Sequence, residues 1–144
     1  MSKHILFLCT GNYYRSRFAE ILFNHLASEK KLKWRARSRG LRVGMHELPG
    51  PISPFTLARV EELKIDCDSI IKEPSQCKMT DLETAGIVIA LKESEHRPML
   101  AKSFSPWETR ARFWHVHDLD EATPAEALGE IEQLVKDLVV ELSA

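Results

Sequence analysis

The run His4-Ile5-Leu6-Phe7-Leu8-Cys9, ended at once by Thr10-Gly11-Asn12, constrains this chain more than any other feature. A short, unbroken apolar stretch closed by a turn reads as a strand buried on both faces, and such strands belong to parallel sheets. From Ser16 to about Leu32, Phe18, Ile21, Leu22, His25 and Leu26 recur at helical spacing. Strand, tight loop and helix in that order make the first half of a βαβ crossover.

The rest of the chain extends the pattern. Trp34, Ala36 and Ser38 alternate with Arg35 and Arg37, which predicts an edge strand with one wet face. Gly40 to Pro51 reads as a surface loop, Ser53-Pro54 as a helix start running to about Leu63, and Asp66 to Ser75 as irregular. A short helix is expected near Thr80 to Thr84, then the strand Gly86 to Leu91, then a helix from Glu93 to Phe104 in spite of Pro98. Arg112 to Val116 reads as the last strand. Thr123-Pro124-Ala125-Glu126 combines an N-cap, a first-turn proline and a capping-box glutamate. Leu128, Ile131, Leu134, Val135, Leu138, Val139 and Leu142 then hold one helical face to the C-terminus. Four strands alternating with helices predict an α/β chain forming one domain over residues 1–144. Its expected architecture is a three-layer sandwich: a four-stranded, parallel, doubly wound sheet with helices on both faces.

Composition mainly excludes. A formal net charge of −1 gives no bulk reason to expect nucleic acid or an anionic membrane as partner. No segment approaches the roughly 20 apolar residues of a membrane span, and the apolar stretch after Lys3 is too short for a signal-peptide core. Three cysteines do not suggest a disulfide framework, so the expected setting is the cytoplasm, with reduced thiols. The six histidines complete no ligand set by spacing, and neither metal nor cofactor is expected.

The chemistry concentrates in Cys9-Thr10-Gly11-Asn12-Tyr13-Tyr14-Arg15-Ser16, between the first strand and the first helix. Residues Thr10 to Arg15 can wrap an anion with successive backbone N–H groups, and the helix that follows adds its positive end. The Arg15 guanidinium can grip two phosphate oxygens as a fork. Cys9 lies at the base of this nest, where a positive environment would favour a thiolate. A thiolate facing a bound phosphorus atom is a nucleophile in attack position. The Ser16 hydroxyl is placed to hydrogen-bond that thiolate. Tyr13 reads equally as a wall for an aromatic substrate ring or as a ring packed under the loop.

On these residues the run from Leu6 to Ser16 resembles the N-terminal signature of the low-molecular-weight protein tyrosine phosphatases, which related thioredoxin-coupled arsenate reductases share. The resemblance implies a cysteine-dependent phosphatase acting on phosphomonoesters of the phosphotyrosine type through a phosphocysteine on Cys9. It implies phosphate binding by Arg15 and the amides of Thr10, Gly11, Asn12, Tyr13 and Tyr14. Asn12 is then expected to brace the loop with a serine after the second strand, here Ser38. Partners would be a phosphorylated protein or a small phosphomonoester.

A leaving oxygen needs a proton, and a carboxylic acid near the loop can supply it. The family usually carries an Asp-Pro pair after the last strand; here Asp118 precedes Leu119 and Asp120 precedes Glu121. Distance from Trp114 favours Asp118 over Asp120. Two rival readings stand beside this one. An arsenate reductase would need two further cysteines near the third strand, where the sequence reads Ala90-Leu91-Lys92-Glu93-Ser94-Glu95-His96, and Cys67 and Cys77 lie upstream of it. A non-catalytic phosphate-binding module would use the same loop without turnover. The second cysteine that many phosphatases carry inside the loop is replaced here by Tyr14.

Overall fold

The N-terminal apolar run forms the strand on which the sheet is built. The computed structural model describes residues 2–45, 47–66 and 71–144. In chain order its elements are β1 (His4–Cys9), α1 (Arg15–Glu29), β2 (Arg35–Gly40), α2 (Pro54–Glu62), α3 (Met79–Thr84), β3 (Ile87–Ala90), α4 (Glu93–Ser103), α5 (Trp107–Arg110), β4 (Arg112–Phe113) and α6 (Pro124–Ser143). The sheet order is β2-β1-β3-β4, with every neighbouring pair parallel. From β1 the chain crosses to β2 on one side and later to β3 on the other. The carboxyl ends of β1 and β3 therefore border the crevice where open α/β sheets receive ligands.

The pleat of β1 divides the core. Ile5, Phe7 and Cys9 face one layer with Phe18, Phe23, Ile131 and Val135 of α1 and α6. Leu6 and Leu8 face the other with Leu82, Val88 and Leu100. Alternation at period two sends neighbouring residues to opposite layers, so a strand covered on both faces must be apolar throughout. Each such buried Leu, Ile or Phe contributes about 1.5–3 kcal/mol of burial. The capping box at Thr123 and Glu126 starts α6 where the sequence placed it, with bonds of 3.2 and 3.0 Å.

Two local expectations change. The last strand is only Arg112–Phe113, because His115 bridges Lys92 in the antiparallel sense where the chain leaves β3 for α4. β2 runs on to Gly40, so Ser38 lies within the strand rather than after it. The helix expected in spite of Pro98 forms as α4, with Pro98 exposed along with Ser94, whose carbonyl it leaves to solvent. Cys67 lies outside the described residues.

Gly40 couples fold to loop. A Cβ there would meet Val43 Cγ2 at 2.5 Å, the Thr10 carbonyl at 2.8 Å and the Asn12 nitrogen at 3.0 Å. Gly40→Ala should therefore push on the backbone of residues 10–12 and cost about 1–3 kcal/mol of stability. Urea unfolding of the two proteins measures this; an unchanged midpoint would mean that the loop yields freely.

Candidate active site

Loop 10–14 owes its shape to Asn12. Its φ of 53° lies in the left-handed region, which asparagine tolerates better than most residues. The fully buried side chain donates from Nδ2 to Ser16 Oγ at 3.0 Å and Ser38 Oγ at 2.9 Å, and Oδ1 accepts the Ser75 N–H at 3.0 Å. The Ser38 hydroxyl in turn donates to Glu20. Among the described residues, the N–H groups of Thr10 to Tyr14 donate to no protein acceptor. They come directly before the N-terminus of α1, the order of elements that an anion nest uses.

Cys9 Sγ sits 2.9 Å from Ser16 Oγ, with the cysteine only 3% exposed. Arg17, which the sequence reading passed over, is equally buried. It donates to the carbonyls of Asn12, Pro51 and Lys72 at 3.3, 3.1 and 2.7 Å, tying the loop to the segments beside it. Carbonyl acceptors are how a buried guanidinium avoids an unpaired donor.

Arg15 departs from the simple fork. Its Nη1 donates to Glu95 Oε1 at 3.3 Å and the Val116 carbonyl at 3.0 Å; Nη2 donates to Glu95 Oε2 at 2.8 Å and Asp118 Oδ2 at 3.4 Å. Glu95 thus spans the edge between the two terminal nitrogens. The edge formed by Nε and Nη2 is left for an anion, at the cost of only the long Asp118 contact. Burial opposes the Arg15 charge, but the facing Cys9 and Glu95 raise its pKa above the ordinary guanidinium value.

Glu95 is the main residue that sequence reasoning missed. Its Oε2 also accepts the Thr10 hydroxyl and lies 3.1 Å from His96 Nε2. His96 Nδ1 accepts the Lys92 N–H at 3.0 Å, so the ring proton belongs on Nε2, toward Glu95. Burial pushes the Glu95 carboxyl up, but bonds from His96, Arg15 and Thr10 outweigh it and hold the group well below the usual carboxylate range. Burial lowers the His96 pKa, so the imidazole stays neutral. A signal existed, since Glu95 follows the carboxyl end of β3. An acidic residue in a first helical turn equally reads as dipole compensation.

Asp118 and Asp120 both line the same cavity of about 630 Å³ as Cys9, Arg15, Thr10 and Gly11. Only Asp118 meets Arg15, and its Oδ1 accepts the Leu119 N–H at 2.8 Å. The cavity rim is apolar, with exposed Met45, Leu48, Phe55 and Leu119 around it. Tyr13 lines this wall while its hydroxyl donates to the Pro49 carbonyl, so it serves the cavity and fastens the rim loop together. Arg42 also reaches the cavity, whereas Arg39 pairs with Asp81 at 3.4 Å.

The family model for low molecular weight phosphotyrosine protein phosphatases matches residues 4–144. No curated protein matches the chain. Among solved structures, a low molecular weight protein tyrosine phosphatase from T. tengcongensis is 22% identical, covering 96% of this chain and 98% of its own, with a TM-score of 0.80. A tyrosine phosphatase from Erwinia amylovora is 16% identical over 100% and 95%, also at 0.80. An arginine phosphatase from Geobacillus stearothermophilus is 24% identical over 97% and 92%, at 0.76. Likeness at these identities carries the fold.

The Glu95 cluster makes a pH-dependent contribution to stability. A carboxyl whose folded pKa is depressed stabilises the fold above its unfolded value of about 4.3 and loses that effect as pH falls. The gap in urea midpoint between the wild type and Glu95→Gln should be widest near neutrality and narrow below about pH 4.3. A gap constant from pH 7 to 3 would show that the carboxylate charge does not matter.

Proposed function

We propose that this chain, which belongs to the low molecular weight phosphotyrosine protein phosphatase family, hydrolyses phosphomonoesters of the phosphotyrosine type with Cys9, Arg15 and Asp118 as its catalytic residues. It is a cysteine-based phosphatase. The observation that carries the residue assignment is that Cys9, Thr10, Gly11, Tyr13, Tyr14, Arg15 and Asp118 line one cavity, while the N–H groups of residues 10–14 find no acceptor among the described residues.

In the first step the Cys9 thiolate attacks phosphorus, and the bond to the ester oxygen breaks as the S–P bond forms. The loop amides and the free edge of Arg15 receive the phosphoryl oxygens, whose charge they match throughout the transfer. Asp118, freed from Arg15 by the incoming phosphate, gives its proton to the departing oxygen. In the second step the ionised Asp118 takes a proton from water as that water attacks the phosphocysteine. The Ser16 hydroxyl, already on the sulfur, stabilises Cys9 as it leaves. Thr10, Gly11, Asn12, Tyr13 and Tyr14 form the substrate nest, with Ser38 holding Asn12 from below. The apolar rim beside Tyr13 suits the ring of a phosphorylated tyrosine, whether in a protein or in a small ester.

The arsenate relay is not favoured. Lys92 stands at the end of β3 and bonds Glu121 at 2.8 Å, where that relay would need a thiol. Cys77 packs in the opposite core layer, and burial with Asp81 pushes its thiol up to about 12. No described helix is long and apolar enough to cross a membrane. The setting we infer is the cytoplasm, because a reduced Cys9 is needed for attack.

Hydrolysis of para-nitrophenyl phosphate under reducing conditions tests the roles. Cys9→Ser should abolish turnover, Asp118→Asn should lower kcat by roughly 10²–10⁴-fold, and Asp120→Asn should do far less. Arg15→Ala should weaken both vanadate binding and turnover. A folded wild type that binds vanadate without hydrolysing the ester would turn the assignment toward a binding module. Because Tyr14 stands where a protective cysteine is common, brief peroxide should drive Cys9 past the sulfenic stage. Activity fully restored by dithiothreitol after every dose would contradict that.

A further inference from the structure

Asp118 stands between β4 and α6, on a stretch with no regular structure and, from Val116 to Ala122, no proline to stiffen it. Among the described residues its side chain bonds only Arg15, at 3.4 Å, and the Leu119 N–H, at 2.8 Å. In the proposed cycle the incoming phosphate takes the first of these away. The position of the acid must then come from the backbone that carries it.

That backbone is a tight turn closed by Glu121. The Asp118 carbonyl accepts the N–H groups of Glu121 and Ala122 at 3.0 and 3.1 Å. The Glu121 side chain then reaches out of the turn. Its Oε1 accepts from Lys92 Nζ at 2.8 Å, and its Oε2 lies 3.3 Å from Nδ1 of His117, the residue before the acid. The bond from Lys92 holds the Glu121 carboxyl below its ordinary value, which keeps the pair charged at neutral pH.

Lys92 is an anchor on the other side of this bond. It follows β3, is 8% exposed, and among the described residues its ammonium pairs with Glu121 alone. A charge so nearly buried needs that partner. Its backbone bridges His115 in the antiparallel sense, and its N–H goes to His96 Nδ1 at 3.0 Å. One residue thus meets both halves of the site. Through its N–H it fixes His96, which holds Glu95 and so Arg15; through Nζ it fixes the turn of Asp118.

We propose that the Lys92–Glu121 ion pair is the latch that positions Asp118 for proton transfer, with Lys92 and Glu121 as positioning residues. This rests on the phosphatase reading and deepens it. Neither residue lines the cavity, so each acts through the acid rather than on the substrate. Proton transfer requires hydrogen-bond reach, first of the leaving oxygen and then of water, and a misplacement of about 1 Å can cost roughly 100-fold. Because the Glu121 side chain is half exposed, the loss expected from breaking this pair is smaller.

The test measures kcat on para-nitrophenyl phosphate together with inhibition by vanadate. Glu121→Gln and Lys92→Met should each lower kcat roughly 5- to 20-fold and leave vanadate inhibition within about twofold of the wild type. The two substitutions change the charge near Asp118 in opposite senses, so a purely electrostatic effect would move kcat in opposite directions. Added to Asp118→Asn, Glu121→Gln should cause no further loss, because the group it positions is already gone. Wild-type kcat in both variants, opposite changes, or the same loss repeated on Asp118→Asn would overturn the proposal. Vanadate inhibition weakening in step with kcat would overturn it too, by placing the effect on Arg15 and the loop. Should Lys92→Met fail to fold, Glu121→Gln, at a half-exposed side chain, decides alone and in combination with Asp118→Asn. A wild type inert on the ester would remove the phosphatase reading itself, an outcome distinct from an active wild type whose variants match it.

Discussion

Everything at this site depends on the three hydrogen bonds of the Asn12 side chain. A residue at φ 53° is held against its backbone preference, and the loop keeps that shape because Ser16, Ser38 and Ser75 grip one amide from three directions. Those partners come from α1, β2 and the segment before α3. The turn is held by this side chain and through the loop's own carbonyls, which accept from Arg17, Arg42 and Ser53, while its N–H groups find no acceptor among the described residues. Gly40 serves the same end from β2, since only a residue without Cβ lets the backbone of residues 10–12 lie so close.

The second organising constraint is charge. Arg15 is almost wholly buried and faces Glu95, Asp118 and the Cys9 sulfur. Glu95 is itself saturated by Arg15, Thr10 and His96, and His96 is fixed by the Lys92 backbone. The cluster turns the guanidinium so that one edge is spent on the protein and the other is offered to an anion. A lone arginine on a flexible loop would hold more charge for the phosphate, but with less defined geometry.

Much of the fold was legible because its signals are local. An apolar run closed by Thr-Gly-Asn, helical spacing in α1 and α6, and the capping box at Thr123 each depend on residues near one another. What misled was where elements meet. The last strand is short because α4 departs beside it, which no pattern in residues 112–116 records. Glu95 and Arg17 were missed for the same reason: each is polar, helical and ordinary in sequence, and becomes special only by what packs against it.

The sequence by itself predicted the parallel α/β architecture and placed Cys9, Arg15 and Ser16 together around one loop between a strand and a helix, because those signals lie in residues close along the chain. Tertiary structure alone decided which aspartate meets the guanidinium and that Glu95 occupies its second edge. Those facts join residues 80 to 103 positions apart. Charge pairing and desolvation are set by distance in space, and a sequence encodes that distance only through the folded chain.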